Sequence, residues 1–245
     1  MKSYYQTAFA LGCDIGLCLV NDNEAETDLI FKSLWKVIGK FEAEFSRFLP
    51  NSELTVFNQN AGSAQPISND FHEMLKLANQ YNESNEGAFN IFILPELQKA
   101  GYKQPFHTVD GQLTAPDFSS RKFDTKNKVV IGDNTAIIPQ NSAIDLGGIA
   151  KGFLADKLAD IVQNQVHGYW LSIGGDIVVG GKNENGEKWV IGIESTDETQ
   201  KIEVSCKLER YAVATSGISK RRGVNGNKNW NHIIDPRTGI QLIRM

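Results

Sequence analysis

The segment Asp145-Leu-Gly-Gly-Ile-Ala-Lys-Gly152 constrains this chain more than any other stretch of its 245 residues. An apolar run through Ala143 and Ile144 ends in an acid, and two glycines then let the backbone turn sharply. Apolar positions at Ala150, Leu154, Leu158 and Ile161 follow at steps of three or four, which predicts a helix from about Ile149 to Gln163. A helix start carries N–H groups without intrahelical acceptors and the positive end of the peptide dipole, so it favours an anion. Lys151, in the first turn, can reach a phosphate as a point charge. The pattern is neither the phosphate loop of nucleoside triphosphatases nor the dinucleotide fingerprint, because both the glycine spacing and the residue after the lysine differ. A tight strand-to-helix turn with Lys151 exposed is the competing reading.

A second segment, His232-Ile-Ile-Asp-Pro-Arg-Thr-Gly239, combines an imidazole, an acid and a hydroxyl at an expected strand end. Read as a strand over 231–234, it sets His232 and Ile234 on one face and Ile233 on the other. Asp235-Pro236 stops that strand, and Arg237-Thr238-Gly239 completes a turn. A histidine so placed suits a general base, with a hydrogen-bonded structural histidine as the alternative. Thr215-Ser216-Gly217 closes another strand without a nucleophile elbow around it, so its hydroxyls fit ligand orientation or turn capping better than nucleophilic attack. Ser172 to Asp176 has the same glycine-rich character. His and Glu nowhere recur at zinc or iron spacing.

Composition narrows the function classes. A net charge of −4 gives no electrostatic reason to expect nucleic acid or an anionic membrane. Lys220, Arg221, Arg222 and Lys228 form one basic cluster, which reads as solvated loop charge. The three cysteines, Cys13, Cys18 and Cys206, are too few and scattered for a zinc site or a disulfide framework. No run approaches the length of a membrane helix. Ala10-Leu11-Gly12-Cys13 has the outline of a lipoprotein cleavage site, but its charged start is weak and Asp14 follows at once. A core strand is the better reading, and a cytoplasmic protein the expectation.

Along the chain, residues 8–20 read as one strand broken by Gly12 and Asp14. A helix follows over 28–48, then a helical turn near 52–54 and a second helix from Ser68-Asn69 to Gly87. Residues 101–127 read as loop with one turn near 116–121. A hairpin over 128–138 turns at Gly132-Asp133-Asn134. Strands then dominate: 169–173, 177–181, 189–194, 201–208, 211–215 and 231–234. Two early helices and a strand-rich second half indicate an α+β fold with a mixed sheet, as one domain over 1–245 or as two interleaved lobes.

Taken in order, Leu11-Gly12-Cys13, Phe45-Ser46-Arg47-Phe48 with Ser52-Glu53, Gly87-Ala88-Phe89-Asn90, Asp145 to Gly152, Ala214 to Gly217 and His232 to Gly239 resemble the ApbE family of FAD:protein FMN transferases. The resemblance implies cleavage of FAD within its pyrophosphate and transfer of the FMN phosphoryl to a threonine or serine hydroxyl of an acceptor flavoprotein, such as a redox subunit. AMP would leave, with Mg2+ assisting. It implies His232 as the base and FAD contacts at Leu11, Phe48, Ala88, Phe89, Asn90, Asp145, Lys151 and Ile234. Thr215 and Ser216 join them as ligand-orienting hydroxyls, and the Gly148 carbonyl falls where the family offers a backbone ligand to magnesium.

Three departures qualify these expectations. The family usually has Met-Gly-Thr where this chain has Leu11-Gly12-Cys13, and Asp where it has Asn90. Family members continue past the last motif through a strand and helix bearing further magnesium ligands, whereas this sequence stops at Met245. The expectation is therefore a weakened metal site. Reduced transfer, FAD binding without transfer, or hydrolysis of FAD to FMN and AMP are the alternatives. An open sheet edge left there could be covered by a homodimer.

Overall fold

The computed structural model describes residues 1–103, 117–121, 124, 126–195, 202–217, 222–225 and 228–241. In chain order they form β1 (Lys2–Ala10), β2 (Cys13–Asn21), α1 (Glu24–Phe45), α2 (Glu53–Gln59), β3 (Gln65–Pro66), α3 (Asn69–Ser84), a 3-10 helix (Ile91–Ile93) and α4 (Leu94–Ala100). There follow β4 (Val130–Ile131), β5 (Thr135–Ile137), α5 (Ala150–Val162), β6 (Gly168–Ile173), β7 (Asp176–Gly181) and β8 (Trp189–Glu194). The last elements are β9 (Ile202–Leu208), β10 (Arg210–Val213), β11 (Arg222–Asn225), β12 (Lys228–Asn231), β13 (Ile234–Asp235) and β14 (Ile240–Gln241). The fold is α+β, as expected. The chain divides into two units, Met1–Glu42 with Lys151–Ser216, and Ala43–Ala150 with Gly217–Met245.

The first unit is built on an antiparallel sheet in the order β1-β2-β6-β7-β10. Alternation along β2 sends Ile15, Leu17 and Leu19 to one face, opposite Ile173, Leu171 and Tyr169 of β6. Those three β2 side chains are fully buried. On α1, Ile30, Phe31, Leu34, Ile38 and Phe41 recur at helical spacing and are buried. Phe41 stacks on Phe153 of α5 with ring centroids 6.3 Å apart. The single strand read over 8–20 is in fact a hairpin. Leu11 and Gly12 both take positive φ, 55° and 69°, as a two-residue turn between right-twisted strands demands. β1 carries no apolar alternation in sequence because one of its faces is exposed throughout and the other is at most half-buried. β8 and β9 form a separate two-stranded hairpin.

The second unit packs α2, α3 and α4 with small antiparallel sheets. Phe57 lies 5.1 Å from Phe71, and Phe71 lies 5.6 Å from Phe45. Ser52 and Ser68 cap α2 and α3 by accepting from Thr55 N–H and Phe71 N–H. The expected hairpin forms as β4 and β5, with β3 added at its edge. A turn also forms within 118–121, where Arg121 N–H donates to Phe118 O. α4 was not foreseen, because seven residues are too short for a periodic signal; Pro95 in its first turn and Gly101 after its end punctuate it. α1 starts at Glu24 and ends at Phe45, not over 28–48, since the Asn23 side chain accepts from Glu26 N–H and sets the start earlier. No described helix is long and apolar enough to cross a membrane.

Candidate active site

In the second unit, Asn58 fixes where the Asp145 turn begins. Its fully buried amide donates to Ile144 O at 2.9 Å and accepts from Ile144 N–H at 2.7 Å. The next residue, Asp145, donates its N–H to Ile91 O at 2.7 Å. Its carboxylate then takes two partners: Oδ1 accepts from Gly147 N–H at 2.8 Å, and Oδ2 pairs with Arg47 Nε at 2.9 Å. Both glycines stand close to side chains. A Cβ on Gly147 would stand 2.8 Å from Asp145 Oδ1, and one on Gly148 would stand 3.0 Å from Phe89 Cε2. Leu146 O accepts from Ile149 and Ala150 N–H, which starts α5.

Arg47 organises the surroundings of that carboxylate. With only 7% of its side chain exposed, it pairs with Asp145 and donates to Tyr102 O at 2.9 Å. Its guanidinium carbon lies 4.2 Å from the Phe48 ring centroid and 4.5 Å from that of Tyr102. Those two rings meet edge-on at 5.9 Å. Phe48 thus belongs to an aromatic pair backed by a cation, an arrangement favoured by the ring quadrupole. Phe89 is half-buried and meets Tyr81 edge-on, while Ala88 is exposed. Asn90 is buried, and its Oδ1 accepts from Phe92 N–H to cap the 3-10 helix. Its side chain is therefore engaged in shaping the main chain that receives Asp145.

The His232 segment departs from its expected form. β12 ends at Asn231, His232 sits in a bend, and pairing resumes only at Ile234. His232 and Ile234 consequently do not share a strand face. The cause is local: Asn231 Oδ1 accepts from Ile233 N–H and draws the chain out of the ladder. His232 is half-buried and Ile234 is buried. The turn that follows is as expected, with Thr238 and Gly239 N–H donating to Asp235 O. Asp235 gives both carboxylate oxygens to Arg237, whose hydrogen bonds hold its carboxyl below the usual range. Gly239 lies beside α4, where a Cβ would stand 3.7 Å from Glu96 Oε2.

In the first unit, the β6–β7 turn and Thr215 meet at Lys151 and its partner Asp176. Leu11 N–H donates to Glu42 Oε1 at 2.8 Å, fixing the β1–β2 turn. The β6–β7 turn at Gly174-Gly175 lies against Cys13: a Cβ on Gly174 would come 3.0 Å from its Sγ and 3.9 Å from Lys151 Cδ. Lys151 Nζ pairs with Asp176 Oδ2, and Asp176 Oδ1 accepts from Thr215 N–H at 3.3 Å. Lys151 is thus half-buried and paired, correcting the reading in which it stands exposed. Thr215 and Ser216 are exposed.

With this geometry in place, comparison with known proteins is decisive on descent: the ApbE family model matches residues 9–242. The chain belongs to the ApbE family. An ApbE relative from Haemophilus influenzae, named FAD:protein FMN transferase, is 29% identical over 229 residues, covering 89% of this chain and 66% of the relative. One from Klebsiella pneumoniae with the same name is 28% identical over 98% of this chain and 74% of the relative. The solved flavin transferase ApbE from Vibrio cholerae superposes with a TM-score of 0.81 at 26% identity, over 99% of this chain and 79% of that one. The chain thus spans about two thirds and three quarters of the length of these Haemophilus and Klebsiella relatives.

Within this ApbE chain the structure joins Asp145, Gly148 and Phe89 in one cluster and Lys151 with Thr215 in another. Sequence reading missed Arg47, Tyr102, Asn58 and Asp176. Arg47 and Asp176 stand inside the segments Phe45 to Phe48 and Ser172 to Asp176, but a single charged residue carries no spacing signal that names its partner. Among the described residues no three His, Cys, Asp or Glu cluster, and the Asp145 carboxylate is shared by Arg47 and Gly147 N–H. Lys220 and Arg221 of the basic cluster lie outside the described residues.

Proposed function

We propose that this protein transfers FMN from FAD to a serine or threonine hydroxyl of an acceptor flavoprotein and releases AMP. The observation that carries the reading is Lys151, held half-buried in the first turn of α5, three residues after Gly148. A fixed ammonium beside first-turn N–H groups suits a diphosphate. By the family resemblance, Leu11, Phe48, Ala88, Phe89 and Ile234 are assigned to the ring systems, with Asn90 and Asp145 as polar neighbours.

The step is an in-line displacement at phosphorus. The acceptor oxygen attacks the FMN phosphorus, and its proton passes to a His232 ring nitrogen. The bond from that phosphorus to the bridging oxygen breaks, and AMP leaves with the electron pair. No step is routed through magnesium. Thr215 and Ser216 serve to orient the ligand.

The test is incubation with FAD, magnesium and an acceptor carrying the target hydroxyl, read by intact mass. A gain matching FMN is expected. His232→Ala should lower transfer about 100-fold or more while leaving FAD binding in place. Transfer at the parent rate would overturn the base assignment. Bound FAD without mass gain would indicate a flavin-binding protein, and AMP release without acceptor would indicate hydrolysis.

A further inference from the structure

We infer that Asp176 is a positioning residue that presents Lys151, and with it the Thr215-Ser216 segment, to the diphosphate of a nucleotide ligand. The inference rests on the function proposed above and adds a residue to its site. Asp176 opens β7 immediately after the Gly174-Gly175 turn. One carboxylate oxygen accepts from Lys151 Nζ and the other from Thr215 N–H at 3.3 Å, so a single side chain ties together residues 25 and 39 positions away. Both members of the ion pair are largely shielded, with side-chain exposures of 25% and 20%. Such a pair holds its geometry better than a fully solvated one.

Lys151 is also held along its stem. A Cβ built on Gly174 would stand 3.9 Å from Lys151 Cδ, so the lysine stem passes close to the turn while the carboxylate holds the head. Gly174 N–H donates to Asp14 O at 2.9 Å, which anchors the turn to β2. Free lysine carries large rotamer entropy, and an anchor at stem and head removes that loss from the binding step. An ammonium has three donors. The carboxylate takes one, leaving the chemistry for a phosphate oxygen on the same nitrogen. Asp176, being anionic, does not touch the phosphates and acts through the lysine.

The experiment is a double-mutant cycle on the intact chain with Asp176→Asn and Lys151→Met, read by the Kd for FAD from flavin fluorescence and by hydrogen exchange at the Thr215 amide. Each single variant should raise Kd about 10- to 100-fold, whereas the double variant should lie within about threefold of Lys151→Met. Exchange at Thr215 should quicken in Asp176→Asn. Should Asp176→Asn not fold, Asp176→Glu replaces it in the cycle, with a smaller rise in Kd expected. Unchanged affinity in the Asp176 variant, or fully multiplicative effects in the double variant, would overturn the inference while leaving the function standing. A parent protein that binds no FAD would overturn both.

Discussion

Asn58→Ala tests how the Asp145 turn is held. Asn58 is fully buried, and its amide provides both hydrogen bonds to the main chain of Ile144, itself fully buried. Truncation strands one N–H and one C=O in the core, each costing about 1–3 kcal/mol, or about 2–6 kcal/mol together. A water admitted to the vacated space would recover part of this, placing the expected loss near 3–4 kcal/mol. The main chain of Asn58 is untouched, so the hydrogen bond that its carbonyl accepts from Arg121 persists. Urea unfolding followed by tryptophan fluorescence measures the loss, and hydrogen exchange at the Ile144 amide localises it. Asn58→Asp adds a sign. Its carboxylate would still accept from Ile144 N–H but would oppose the Ile144 carbonyl, so it should destabilise at neutral pH and recover as acid restores a donor. A loss below about 1 kcal/mol in Asn58→Ala would refute the claim that this amide holds the turn.

Gly148→Ala should push Phe89 aside, because the new methyl would meet its ring at 3.0 Å; a cost of about 1–3 kcal/mol and weaker FAD binding are expected from melting and fluorescence titration. Burial raises the Tyr169 phenol above its ordinary value, so the unfolded chain ionises first as pH climbs. Stability should therefore fall from about pH 10 upward, and Tyr169→Phe should flatten that loss in melts taken across the range.

Much of the fold is legible in the letters where periodicity is strong. The apolar stripe of α1, the capped start of α3 at Ser68 and the alternation of β2 each announce an element whose buried face matches its pattern. Legibility fails where burial is weak or the element is short. β1 shows no alternation because neither of its faces is buried, and α4 spans too few residues to repeat. His232 is a different failure. The residues around it suit a strand, but the Asn231 side chain competes with the ladder for the Ile233 N–H.

The candidate site divides in the same way. Its chemical groups stand in the motifs: Asp145, Lys151, His232 and the glycines are visible because turn and helix-start chemistry limits which residues can stand there. What those groups are bonded to is not visible. Arg47 with Asp145, Asp176 with Lys151 and Thr215, and Asn58 with Ile144 are partners 98, 25, 39 and 86 positions apart in sequence. The letters alone settled which functional groups this protein carries and the local turns that display them, because those depend on neighbours in the chain. Only tertiary packing decided which charges are paired and which rings are backed by a cation, since such contacts follow distances in space that no local pattern encodes.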